Sequence, residues 1–253
     1  GGDSGGGAGI QADLKTVAAH RVFGTCAISA VTAQNTLGVT MWRAVASDLV
    51  TAQIEAVAGD LGVDAVKVGM LANAAIVEAV AAAIAELDLP HVVVDPVMIA
   101  KGGDRLLEAE AVAAVRAELL PLAQVVTPNV PEAEVLSGRT IRSVDDMRIA
   151  GERILGLGPR VVLIKGGHLE GGELIDVVCT AHEVFELRGP RIDPRHTHGT
   201  GCTLSSAIAA NLALGLDDRP ALSRARDYLD GAIRHAPGLG RGHGPLGHFW
   251  QLY

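Results

Sequence analysis

The chain has 253 residues, 49% hydrophobic and 20% charged, enough for one large domain with a substantial core. A formal net charge of −8 without a Lys/Arg cluster argues against a nucleic-acid partner, and no apolar run approaches the ~18 residues of a membrane span. Three cysteines, at 26, 179 and 202, without a CxxC pair argue against a disulfide framework or a zinc site and suit a reducing cytoplasm.

Aromatic residues make up only 3%, so the core must be aliphatic, which suits parallel strands flanked by Ala-rich helices. In chain order, residues 10–21 read as a helix, and 24–35 contain a short apolar strand that would bury Cys26. Residues 46–61 are helical, with Ser47 or Asp48 as the N-cap. "DAVKVGML" (64–71) is a strand, and 73–89 a helix capped by Asn73. "HVVVDPVM" (91–98) is a buried strand ended by Pro96. A helix near 108–119 precedes the strand 123–129, and another near 143–157 precedes the strand 160–167. "ELIDVVCT" and "HEVFELRG" form an antiparallel pair that would bury Cys179, and two helices, about 200–215 and 218–235, close the chain. This alternation predicts βαβ units in a single α/β domain, residues 1–253, with a mostly parallel sheet.

Two glycine-rich segments carry the chemistry. Six of the first nine residues of "GGDSGGGAGIQAD" are glycine, and Gly7, Gly9 and Ala12 match a dinucleotide fingerprint. That motif needs a preceding strand and an acidic residue ~20 positions later, and neither is present. A Walker A loop is excluded because Gly-Lys occurs nowhere. Asp3 and Asp13 bracket the loop; carboxylates repel phosphate but accept from amine and hydroxyl hydrogens, which suits a neutral small molecule. Alternatively, Asp3 caps a turn and Asp13 lies on a solvated face. In "THGTGCTLSSAIAANLAL" (197–214), Gly199, Thr200 and Gly201 precede an apolar helix. Free amides and the positive helix end would gather there into an anion hole.

The ordered set "GGDSGGGAGIQADLKT", "TAQNTLGV", "KVGML", "VVDPVM", "TPNVPEA", "KGGH" and "THGTGCTLSSAIAA" spans nearly the whole chain. It resembles the hydroxymethylpyrimidine/phosphomethylpyrimidine kinases of thiamine biosynthesis, in the ribokinase-like superfamily. The resemblance implies a central, mainly parallel sheet with helices on both faces. It implies transfer of the ATP γ-phosphoryl group to the pyrimidine hydroxymethyl and then to the resulting monophosphate, with Mg²⁺, in a cytoplasmic homodimer. The acceptor contacts carry over to Gly1, Asp13, Gln34, Met70 and Val97, although Met70 and Val97 also fit an ordinary core. Asn129 and Glu132 correspond to the Asn-x-x-Glu pattern that organises magnesium, a pattern that by itself also describes an ordinary helix start, with Asp95 as a further metal or phosphate residue. Lys165 would meet nucleotide phosphates or else point to solvent. Cys202 stands where many relatives carry a catalytic Asp, next to the Gly199, Thr200 and Gly201 amides. Its place at a helix N-terminus predicts a lowered thiol pKa.

"HTH" (196–198) lacks a third metal ligand in sequence, and His198 is expected to hydrogen-bond the loop. Residues 98–107 read as either a flap over the transferring group or an exposed connection. The family's leading strand is missing ahead of Gly1, which reads as an incomplete N-terminus, and Gly2 replaces a common Ser or Thr. A pyridoxal kinase, a non-catalytic relative and a nicotinamide dehydrogenase are the competing readings; "GTGC" and "TAQNTLG" favour the pyrimidine.

Overall fold

Runs of β-branched residues too short for a helix become the strands of a six-stranded sheet: Val66–Val68 (β4), Val92–Val94 (β5), Val125–Val126 (β6) and Val161–Ile164 (β7), extended by Glu173–Thr180 (β8) and Val184–Pro190 (β9). These come from a computed structural model that describes residues 1–98, 109–169, 172–191 and 197–252. The order is β4-β5-β6-β7-β8-β9. The first four are parallel, in the register Val66↔Val92, Val93↔Val125 and Val125↔Val161; β8 and β9 add antiparallel.

Alternation along the strands sends successive side chains to opposite faces. Val92, Val94, Val126, Val162 and Ile164 meet one core, and Val93, Val125, Val161 and Leu163 the other. The first core is closed by Ala74–Glu86 (α3), Val130–Ser137 (α5) and Val144–Leu155 (α6), through Ile76, Leu136, Met147 and Ile154. Thr200–Ala213 (α7) and Asp218–Arg234 (α8) close the second, through Leu204, Ile208, Leu212 and Leu222. Each such fully buried aliphatic side chain contributes roughly 1.5–3 kcal/mol over exposure. Gly9–Ala19 (α1) packs on α7, and Ser47–Asp60 (α2) on α3. Ala109–Ala114 (α4) continues into a π-helical turn, Val115–Leu119.

A second sheet joins Gly2–Asp3 (β1), Ala30–Asn35 (β2) and Gly38–Ala44 (β3) in the order β1-β2-β3. The sequence reading contained neither β3 nor a separate sheet. The segment 38–44 is the edge strand of this sheet and none of its residues is fully buried, so no alternation of buried and exposed side chains marks it. Ahead of the glycine loop, Gly2–Asp3 pairs in parallel with Val31 and Thr32. Residues 24–29 lie outside any strand, and Cys26 is exposed, so its expected burial is corrected. Cys179 is buried in β8, where desolvation pushes its thiol up to about 11. The start of α2 is also corrected: Ala46 occupies the N-cap, and Ser47 is already helical. Asn73 caps α3 as expected, accepting from the Ile76 amide at 3.0 Å. Most of the predicted 98–107 flap, and His196, lie outside the described residues.

Candidate active site

Because β4 to β7 are parallel, their carboxyl ends share one edge of the sheet. Gly69 and Met70 leave β4 there, Asp95 leaves β5, Thr127–Asn129 leave β6 and Lys165 leaves β7. The glycine loop and the first turn of α7 cover this edge. The cavity between them, about 970 Å³, is lined by all thirteen residues singled out from the sequence: Gly1, Asp13, Gln34, Met70, Val97, Asp95, Asn129, Glu132, Lys165, Gly199, Thr200, Gly201 and Cys202.

The two glycine segments interlock. Gly199 is the N-cap of α7 at φ +84°, and a Cβ there would stand 1.8 Å from the Gly7 carbonyl oxygen. The first-turn amides of Thr200, Gly201 and Cys202 have no intrahelical acceptor, and no side chain caps them. Asp3 does cap its turn, accepting from the Gly5, Gly7 and Ala8 amides at 2.8, 3.1 and 2.8 Å. His198 Nε2 donates to Asp3 Oδ2 at 2.8 Å, tying the loops together as expected. Burial opposes ionisation of Asp3, but the His198, Ala8 and Gly5 bonds hold its carboxyl below the usual range.

At the glycine-loop end of the cavity, a β-bulge between Ala33 and Gln34 shifts the β2–β3 register. Gln34 then leans toward the loop, its Oε1 accepting from the Thr32 hydroxyl at 3.1 Å and its Nε2 lying 3.4 Å from His198. Met70 is buried, with its sulfur 3.3 Å from where a Gly1 Cβ would be. Val97 packs on the first core and also lines the cavity. Asp13 is neither solvated nor free. Lys67 Nζ donates to its two oxygens at 2.9 and 3.0 Å, and Ser206 donates to Oδ1 at 2.7 Å. Lys67 escaped the sequence reading; the available signal was a lysine inside an apolar strand, "AVKVG".

At the α7 end of the cavity, Lys165 is not a solvated lysine. Its Nζ donates to Asp95 at 2.8 Å, with side chains only 17% and 3% exposed. Both lie beside Gly201, where a Cβ would meet Asp95 Oδ2 at 3.1 Å and Lys165 Nζ at 3.2 Å. Burial alone would lower the Lys165 pKa, but Asp95 and Glu132 outweigh it and hold the ammonium above its usual range.

Asn129 and Glu132 form a capping box on α5. The Glu132 amide donates to Asn129 Oδ1 at 2.9 Å, and the Asn129 amide to Glu132 Oε2 at 2.8 Å. Burial pushes the Glu132 carboxyl up to about 7, Lys165 opposing and Asp95 adding to the rise. Among the described residues no three His, Cys, Asp or Glu side chains gather as a metal group. Burial beside Asp95 keeps the Glu132 carboxyl hard to ionise even with the Lys165 ammonium nearby, and the donors present are oxygens. That fits magnesium, which retains waters and shares phosphate oxygens.

This shift has a testable sign. The folded Glu132 carboxyl holds its proton above the pH at which the unfolded one releases it, so Glu132 costs stability progressively between about pH 4.5 and 7. Glu132→Gln retains an acceptor for the Asn129 amide. Without metal, its melting temperature is expected to gain on that of the wild type by a few degrees from pH 5 to pH 8. A pH-independent difference would place the carboxyl in a solvated environment.

Cys202 corrects another expectation. Its thiol pKa is raised: burial dominates, Asp13 and Asp95 add to it, and Lys67 and the Gly9 amide oppose it. The favourable helix terminus does not compensate for lost solvation.

The phosphomethylpyrimidine kinase family model matches residues 3–247. The hydroxymethylpyrimidine/phosphomethylpyrimidine kinase of Synechococcus elongatus is 50% identical over 254 residues, covering 100% of this chain and 96% of the relative. Among solved structures, an ADP complex of Bacillus subtilis pyridoxal kinase superposes with TM-score 0.92 at 37% identity, covering 100% of this chain and 96% of that one. The phosphomethylpyrimidine kinase of Clostridium difficile gives 0.82 at 43% identity, covering 92% and 96%.

Proposed function

The chain belongs to the phosphomethylpyrimidine kinase family, and on that premise we propose that it phosphorylates 4-amino-5-hydroxymethyl-2-methylpyrimidine from ATP and then converts the monophosphate to the diphosphate, a step toward thiamine. The observation that carries this reading is the two-ended cavity, with the Gln34 amide and the paired Asp13 and Lys67 at the glycine loop, and uncapped amides beside Lys165 at the start of α7.

The planar amide of Gln34 offers one donor and one acceptor edge, the complement of an aminopyrimidine, while Met70 and Val97 supply apolar walls and Gly1 leaves room for the ring. At the other end, the Thr200, Gly201 and Cys202 amides would hold the migrating phosphoryl group, and Lys165 the charge leaving with ADP. Asp95 and Glu132, oriented by Asn129 and joined by water, would hold magnesium, which supplies charge neutralisation on the phosphates. In the first transfer the hydroxymethyl oxygen attacks the γ-phosphorus, the bond to the β,γ-bridging oxygen breaks with its electron pair leaving on ADP, and the hydroxyl proton passes to the minor thiolate form of Cys202, which becomes the thiol. The same reading takes the enzyme as a cytoplasmic homodimer; among the described residues no helix is long and apolar enough to cross a membrane.

Pyridoxal kinases share the fold, as the Bacillus subtilis structure shows. Side-by-side incubation with the hydroxymethylpyrimidine or pyridoxal, each with ATP and magnesium, separates the two. Mass spectrometry should find the mono- and diphosphate of the pyrimidine, with pyridoxal phosphate formed far more slowly. Preferential pyridoxal phosphate formation would overturn the assignment, and absence of acceptor-dependent ADP would indicate a non-catalytic relative.

A further inference from the structure

Lys67 is enclosed where β4 reaches the cavity, with only 9% of its side chain exposed. Gly69 makes the space, since a Cβ there would stand 2.8 Å from Nζ. Asp13 accepts two of the three ammonium hydrogens, and among the described residues no further acceptor lies within hydrogen-bond distance of the third. Lys67, Asp13 and Cys202 all line the cavity. A buried ion pair is a poor packing device, because desolvation offsets most of its attraction.

Resting on the function proposed above, the two transfers make different demands. In the first, the nucleophile is an alcohol that must lose a proton. In the second, an oxygen of the acceptor monophosphate attacks the γ-phosphorus. The new P–O–P bond forms as the bond to the β,γ-bridging oxygen breaks, and the electron pair leaves on ADP. That attacking oxygen is already ionised near neutrality, so no base is required; the added demand is to hold two mutually repelling anions together. Lys165 lies with Asp95 beside Gly201, at the anion hole. The acceptor end, where Asp13 brings a negative charge, has Lys67.

We propose that Lys67 is the receptor for the acceptor's phosphate in the second transfer, its ammonium shared between Asp13 and that phosphate. Its positive charge is secure: burial would lower its pKa, but the Asp13 carboxylate, with Asp95 adding, outweighs this and raises it above the usual lysine range.

The test measures kcat/KM separately with the alcohol and with the purified monophosphate as acceptor, at saturating ATP and magnesium. Lys67→Met leaves Asp13 without its cation, so the double variant Asp13→Asn/Lys67→Met accompanies it as a charge-balanced control. The first transfer is expected to weaken by about tenfold, and the ratio of second to first to fall by about 100-fold more, as loss of a charged hydrogen bond implies. Binding of the monophosphate relative to the alcohol, by calorimetry without ATP, should fall in the same proportion. A ratio within about threefold of wild type in the double variant would overturn the Lys67 assignment. A wild-type enzyme that phosphorylates neither acceptor would instead overturn the function on which it rests.

Discussion

Replacing Cys202 by alanine is expected to lower kcat for the first transfer by about 10²–10⁴-fold, the usual contribution of a positioned base, while ATP affinity changes by less than about threefold. The sulfur lies at the first turn of α7, but the binding groups there are backbone amides that alanine retains. The raised thiol pKa adds a signature. Near neutrality little thiolate is present, so wild-type turnover should climb as pH rises toward the thiol range, and that climb should vanish in the variant. A loose transition state tolerates this poverty of base, because the alcohol becomes acidic only as its bond to phosphorus forms. The second transfer has no hydroxyl proton to remove, so it should suffer less. Equal losses of kcat and ATP affinity, or a persisting alkaline climb in the variant, would make Cys202 a packing residue.

Lys165→Met is expected to act twice. Losing the ammonium beside Gly201 should reduce kcat by about 10²–10³-fold, the magnitude seen when one donor to a developing charge is removed. Stability should fall as well, by ~3–5 kcal/mol, because Asp95 would remain buried without its cation. The double variant Asp95→Asn/Lys165→Met separates the two effects. Asparagine preserves shape while removing the stranded charge, so the melting temperature should return most of the way while activity stays low. Recovery of activity along with stability would show that Lys165 serves only to neutralise Asp95.

Much of this site was legible because its parts are local. Val92–Val94 is a strand because three β-branched residues in succession suit a sheet buried on both faces. Gly199-Thr200-Gly201 ahead of an apolar run marks a helix start with unpaired amides whatever surrounds it. Asn-x-x-Glu described a helix start as readily as a metal site, and the capping box shows that the first description holds without displacing the second. What escaped was non-local. The strand Gly38–Ala44 is an edge strand with no fully buried residue, so no alternating burial announces it. Cys26 has apolar neighbours in sequence but exposure in space. The Cys202 thiol was misjudged because its helix terminus is visible in the chain, whereas its burial near Asp13 and Asp95 is not.

The amino-acid order by itself determined the α/β alternation, the family motifs and the residues at the ends of the strands. Hydrogen bonding within a turn and the periodicity of a strand depend on neighbours a few positions away. Only the tertiary structure decided the charge state and pairing of the site: Lys67 meets Asp13 across 54 positions, Lys165 meets Asp95 across 70, and His198 meets Asp3 across 195. The ionisation of a buried group is set by the solvent it loses and the charges it gains, and both arrive with chain folded back from far away.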